Sequence, residues 1–232
     1  MTTPRPPTAA TLLALAALAY SAWTLEALLP TSLPPATAYV SELAATDQPY
    51  STLFRTTDLL AGVLVCAAAA TLPARRTPPT ARAALLLFGA ATAVDSRLPL
   101  SCTPTTDPVC AARETAAVVP WTHSAHTVSS TVALCGILLA MLTLTRTAAF
   151  PAAHALLALE LAATLWTLAA IAALETGHDG WGVGIAQRLQ VGVIAIWLGA
   201  LAVSLLRAPT PPPDAPLDAP LDTPLRRADV RP

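Results

Sequence analysis

Several stretches of this chain run for roughly 20 residues with at most one ionisable side chain, the length at which a helix rising ~1.5 Å per residue crosses a ~30 Å hydrocarbon layer. That feature excludes most folds. A soluble domain of 232 residues needs polar faces on most of its helices, whereas here only 12% of the residues are charged and 54% are apolar, too few polar groups for a water-facing surface. Lipid cannot hydrogen-bond a bare backbone, so each span must be a helix or a strand of a closed barrel. The Ala/Leu runs lack the alternation of barrel strands. The predicted fold class is therefore all-α, a polytopic transmembrane bundle.

Six spans are expected, at Ala9–Leu29, Thr57–Leu72, Ala81–Leu98, His123–Thr145, Pro151–Leu174 and Ile185–Leu206. Pro30, Pro73, Pro78, Pro99, Pro120 and Pro151 fall at or near their ends, where the ring and the missing N–H favour turns over helix. The chain thus divides into a short N-terminus (1–8), a six-helix membrane domain (9–206) and a tail (207–232). The tail carries three Asp-Ala/Thr-Pro-Leu units beginning at Asp214, Asp218 and Asp222. So many prolines with so little apolar surface predict a solvated, disordered segment.

Orientation follows from the arginines, because basic residues in short loops stay on the cytoplasmic side. All 13 basic residues are Arg. With the N-terminus inside, the cytoplasmic set is Arg5, Arg75, Arg76, Arg82, Arg146, Arg207, Arg226, Arg227 and Arg231, against Arg55, Arg97, Arg113 and Arg188 outside. This predicts an N-in/C-in topology, with Trp23, Trp121, Trp181 and Tyr39 near the outer interface. A competing reading makes the first segment a cleaved signal peptide, since Arg5 precedes an apolar core and Ala17-Leu18-Ala19 resembles a cleavage site. The apolar run continues to Leu29, which suits a retained span better. Arginine without lysine, amid abundant Ala, Pro and Thr, fits a GC-rich bacterial genome and a multi-pass protein of the bacterial plasma (inner) membrane. Membrane lipids are the expected partners. No basic patch points to nucleic acid, and no Gly-rich phosphate loop or HExxH zinc motif occurs.

The ionisable residues Glu26, Asp58, Asp95, Arg97, His123, His126, Glu175, His178, Asp179 and Arg188 all approach the outer end of their spans. Residues three, four and seven apart share a helix face, so His123, His126, Thr127 and Ser130 form one polar stripe opening the fourth span. Such a stripe belongs inside the bundle rather than in lipid. Opposite it stand Asp95 and the pair His178-Asp179, which would together make a polar pocket open to the outside. Three chemistries suit that set. Three imidazoles and a carboxylate are ligands for zinc, which could activate water to hydrolyse a lipid amide or ester. The same groups could instead bind a lipid headgroup or small solute, or relay protons, as in a transporter. They could also simply fix helix register. Cys102 and Cys110 bracket the loop CTPTTDPVC on the outer side, where a disulfide can persist; Cys66 and Cys135 lie within spans as free thiols. Glu160 sits near the middle of the fifth span, where a carboxylate is expensive and marks either an ion path or a neutral, tolerated side chain.

The segments SELAATDQPY (Ser41–Tyr50), AVDSRLPLSC (Ala93–Cys102), HSAH (His123–His126) and GIAQRLQVGVIAIW (Gly184–Trp197) resemble an uncharacterised prokaryotic membrane family, domain of unknown function 998, over roughly Thr11 to Leu206. The resemblance implies a bacterial inner-membrane protein of about six spans and carries no activity with it. A looser likeness is to the membrane hydrolases that include alkaline ceramidases and adiponectin-type receptors, whose sites use a serine, an aspartate and three histidines. Ser96 or Ser130, Asp95, His123, His126 and His178 would supply those types. That superfamily usually has seven spans and a paired-histidine motif on a late helix, whereas here six spans are expected and the pair opens the fourth.

Overall fold

The computed structural model describes residues 6–74, 77–146, 150 and 152–207. Arg5, Arg75, Arg76, Pro151 and the tail with Asp214, Asp218, Asp222, Arg226, Arg227 and Arg231 lie outside them. The regular structure among the described residues is all helical, with no strand: α1 (Pro6–Tyr20), α2 (Ser51–Thr71), α3 (Pro79–Asp95), α4 (Pro108–Thr115), α5 (Trp121–Arg146), α6 (Ala153–Glu175) and α7 (Val183–Arg207). Two short 3₁₀ segments, Ala22–Ala27 and Val40–Ala44, follow α1.

Five segments are long and apolar enough to span a bilayer: Thr8–Ala27, Ser51–Thr71, Trp121–Arg146, Ala153–Glu175 and Val183–Arg207. The remaining long helix, α3, has 17 residues, about 25 Å at 1.5 Å per residue. Boundaries differ from the sequence expectation where local chemistry intervenes. The first α-helix ends at Tyr20 and tightens to 3₁₀ geometry, while α2 begins six residues before Thr57. The outer helix α4 was not expected from hydropathy. It is started by Pro108 at its first position and by Asp107, whose carboxylate accepts from the Val109 N–H at 2.9 Å, a pattern that stabilises even a two-turn helix.

The six long helices close into a ring in which α1 touches α2 and α7, α3 bridges α2 and α5, and α6 joins α5 to α7. The α5–α6 seam is the most sparsely packed. Glycine lets α2, α3 and α5 approach closely. A Cβ on Gly62 would stand 2.5 Å from the Gly89 carbonyl oxygen, and one on Gly136 would stand 2.7 Å from the Phe88 nitrogen, the small-residue packing that brings membrane helices together. The core holds Trp197, Phe88, Leu13, Leu85, Ile137 and Met141, with Tyr20 edge-on to Phe88 at 5.6 Å. The outside is apolar as well: Leu18, Leu165, Ile196 and Leu206 are each more than 60% exposed. An exterior of leucine around buried polar groups fits lipid as the solvent.

The end of the bundle that carries the disulfide is capped by the segments before α2 and between α3 and α5. Cys102 and Cys110 form a disulfide, Cα to Cα 5.9 Å, and Cys66 and Cys135 are free. Glu42, fully buried, ties the two loops together: it accepts from the Tyr39 N–H at 3.0 Å and the Thr105 N–H at 2.8 Å, and from the Thr105 hydroxyl. Burial raises its carboxyl above the ordinary value of 4.5, partly offset by those donors. A second tie anchors α7. Arg188 donates through Nε and Nη2 to the two carboxylate oxygens of Glu26, both at 2.6 Å, and through Nη1 to the carbonyls of Ala38 at 2.8 Å and Gly184 at 3.1 Å.

Candidate functional site

At the disulfide end the ring encloses a cavity of about 390 Å³ to which all six long helices contribute. Its floor and walls are apolar and aromatic, with Tyr20, Phe54, Phe88, Ile137 and Ile194. Its polar groups come from helix ends that face one another: Asp58 from the second turn of α2, Asp95 from the last residue of α3, and His126 and Ser130 from the start of α5.

Asp95 is well supplied with donors. The Ser129 hydroxyl donates to its Oδ1, the Ser130 hydroxyl lies 3.1 and 3.2 Å from its two oxygens, and His126 Nδ1 is 3.1 Å away. His126 Nδ1 is also 3.1 Å from the Leu98 carbonyl. Facing two acceptors, that nitrogen carries the proton, and Nε2 points to Ser130 at 3.4 Å. Asp58, across the cavity, has no hydrogen bond or ion pair among the described residues. Thr167, 5% exposed on α6, lines the cavity with its hydroxyl unpartnered. At the mouth, Tyr39 is pushed up to about 12, by burial first and then by the negative charges of Glu114, Glu42 and Glu175.

The structure thus brings Asp95, His126 and Ser130 together, and it places the other sequence candidates elsewhere. His123 is fully buried, but its Nδ1 accepts from the Ser101 N–H at 3.1 Å, which leaves the proton on Nε2, 3.4 Å from Glu114. His178 and Asp179 are exposed on the turn after α6. That turn is set by Gly177 at φ 76°: the His178 N–H reaches the Ala173 carbonyl at 2.9 Å and the Gly177 N–H the Leu174 carbonyl at 3.0 Å, a Schellman motif that ends the helix and carries His178 away. Ser96 is buried and donates to the Ala93 carbonyl. Among the described residues no three His, Cys, Asp or Glu side chains converge as a metal site would require. Glu160 is fully buried one turn below Thr164, beside the Thr164 and Gln190 side chains, and Gln190 donates to Thr164 at 2.8 Å at the cavity floor.

The family model for proteins of unknown function catalogued as DUF998 matches residues 13–204, from the middle of α1 to near the end of α7, including both loops at the disulfide end. The chain belongs to the DUF998 family. No curated protein and no solved structure matches it. Family and apolar helices together make this DUF998 member a multi-pass membrane protein. The likeness to ceramidase-type hydrolases gains nothing from the geometry, because the three histidines that it would need are dispersed.

Two cavity-lining residues, Asp58 and Thr167, were not singled out from sequence as site candidates. Asp58 had been placed at the outer end but not in the pocket, and its depth in α2 became legible only once that helix was seen to begin at Ser51. Thr167 carried no signal at all, since a lone threonine in an apolar helix is common.

Proposed function

We propose that this DUF998 protein spans the bacterial inner membrane six times with both termini in the cytoplasm, and that its outward-facing cavity binds a small solute or a lipid headgroup. The sixth span is α3, wedged between α2 and α5. The arginine distribution supports the orientation: Arg82, Arg146 and Arg207 fall at the end of the bundle opposite the disulfide loop, and the tail adds three more. The observation that carries the binding reading is the cavity itself. It is of the size that small ligands use, mostly apolar with a few convergent polar groups, and it lies where alternating helices bring their outer ends together.

Thr127 lines this cavity and reports on both claims. In a Cys66→Ala/Cys135→Ala background that keeps the disulfide, Thr127→Cys is expected to react with a membrane-impermeant trimethylammonium-ethyl thiosulfonate in intact spheroplasts. Reaction only in inverted vesicles would overturn the orientation. Absence of reaction in both, with labelling recovered on unfolding, would overturn the open cavity.

A further inference from the structure

The lining of the cavity specifies the charge of what it holds. Asp58, Asp95, Glu114 and Glu175 all contribute to the wall. Of the four arginines at this end none does: Arg188 is engaged with Glu26 and Arg55 donates to the Ser96 carbonyl at 2.9 Å, while Arg97 and Arg113 are exposed outside it. Among the described residues the one basic side chain in the lining is His126, already engaged with Asp95. A carboxylate in a low-dielectric wall is costly as an anion unless it is paired, so Asp58, which has no hydrogen bond or ion pair among the described residues, is a group that a bound cation would hold ionised, in a cavity that aromatic side chains also line. Aromatic faces favour cations as well. The unpartnered Thr167 hydroxyl, nine-tenths buried on the opposite wall, is a further group that an occupant would satisfy.

The lining also indicates the side of entry. The two helices that meet most loosely, α5 and α6, both line the cavity, α5 with Thr127, Thr131 and Leu134 and α6 with Leu168 and Ile171. Thr127, Thr131 and Leu168 are exposed at this seam. A ligand dissolved in the outer leaflet therefore has a route between these helices. A phospholipid headgroup fits poorly, because its phosphate would meet carboxylates and no arginine.

Resting on the cavity reading above, we infer that the ligand is a lipophilic organic cation, an amine or quaternary ammonium without an accompanying phosphate. Its head lies at Asp58, its apolar body lies among Tyr20, Phe54, Phe88 and Ile137, and it enters from the lipid through the α5–α6 seam.

The test is equilibrium binding to the full-length protein in lipid nanodiscs, corrected with empty discs, of radiolabelled octyltrimethylammonium and, for comparison, octyl sulfonate. Saturable binding of the cation near one per chain and none of the sulfonate is expected. Asp58→Asn should weaken the cation by about tenfold or more, the usual scale for stranding a buried charge partner, while Asp179→Asn, exposed on the turn after α6 and outside the cavity lining, should change it little. Sulfonate binding equal to that of the ammonium would overturn the charge assignment, as would an Asp58→Asn protein that keeps its thermal midpoint and binds normally. A butyl homologue that binds as tightly as the octyl one would overturn entry from lipid and mark a water-borne solute. No saturable binding of either ion would overturn the inference. The cavity reading would then stand or fall separately, on the Thr127→Cys labelling.

Discussion

The Glu26–Arg188 pair offers the sharpest test of how the outer end is held. Its side chains are 7% and 10% exposed, which places it among buried pairs rather than among surface pairs, whose contribution is about 0–1 kcal/mol. Arg188→Met removes two charge-assisted bonds and leaves a carboxylate buried beside the Ala38 carbonyl that has also lost its donor. Stranding one member of such a pair costs about 3–5 kcal/mol. Glu26→Gln should cost less, because the amide oxygen still accepts from Arg188 and the two carbonyls remain. The double variant Glu26→Leu/Arg188→Met removes both charges, and its loss should fall well below the sum of Glu26→Leu and Arg188→Met, to within about 2 kcal/mol of the parent, since buried pairs replaced by apolar groups are often near neutral. Equilibrium unfolding in mixed micelles, followed by the fluorescence of the five tryptophans, gives each value. If the losses of the two single variants simply add in the double variant, the two side chains are uncoupled and the assignment of this pair as the anchor of α7 fails.

Two further outcomes follow from the outer loops. Replacing Cys102 and Cys110 by Ser opens a loop of sequence separation 8, which chain entropy values at about 2.5 kcal/mol; the unfolding midpoint should drop accordingly, and reductant should shift the parent protein but not the variant. For Glu42, the native state holds its proton to higher pH than the unfolded chain does, so stability is greatest below the ordinary carboxylate range and falls as pH rises from about 4.5 through the raised native value. Glu42→Gln should remove that part of the slope whatever it costs in absolute stability, and equal slopes of midpoint against pH for the two proteins would refute the assignment.

The fold was largely legible because lipid imposes a length and a composition that no tertiary contact can override. The apolar runs marked all six long helices, and the eight-residue separation of Cys102 and Cys110 on one short loop marked the disulfide. Within the site, His126 and Ser130 were readable together because they lie four apart on one helix, and Asp95 because it ends the neighbouring span. Contacts between distant segments were not readable: Glu26 meets Arg188 across 162 positions and Glu42 meets Thr105 across 63. His123 and His178 show the converse failure. Each has a residue type suited to a ligand role, yet one is held by the Ser101 N–H and the other is carried off by the turn at Gly177.

Asp58 and Asp95 make the underlying reason plain. In sequence they are equivalent, two aspartates near the outer ends of adjacent spans. In the fold they are opposites, because Asp95 lies beside α5, where two consecutive serines and His126 can all reach it, while Asp58 lies one helix further round the ring, beyond their reach. A carboxylate with its donors in place is a structural element; one without them is a demand for a partner from elsewhere. Which of two aspartates becomes which depends on the packing of the helices around it, so a sequence can nominate the residue types of a site long before it can say where the vacancy in its hydrogen bonding will fall.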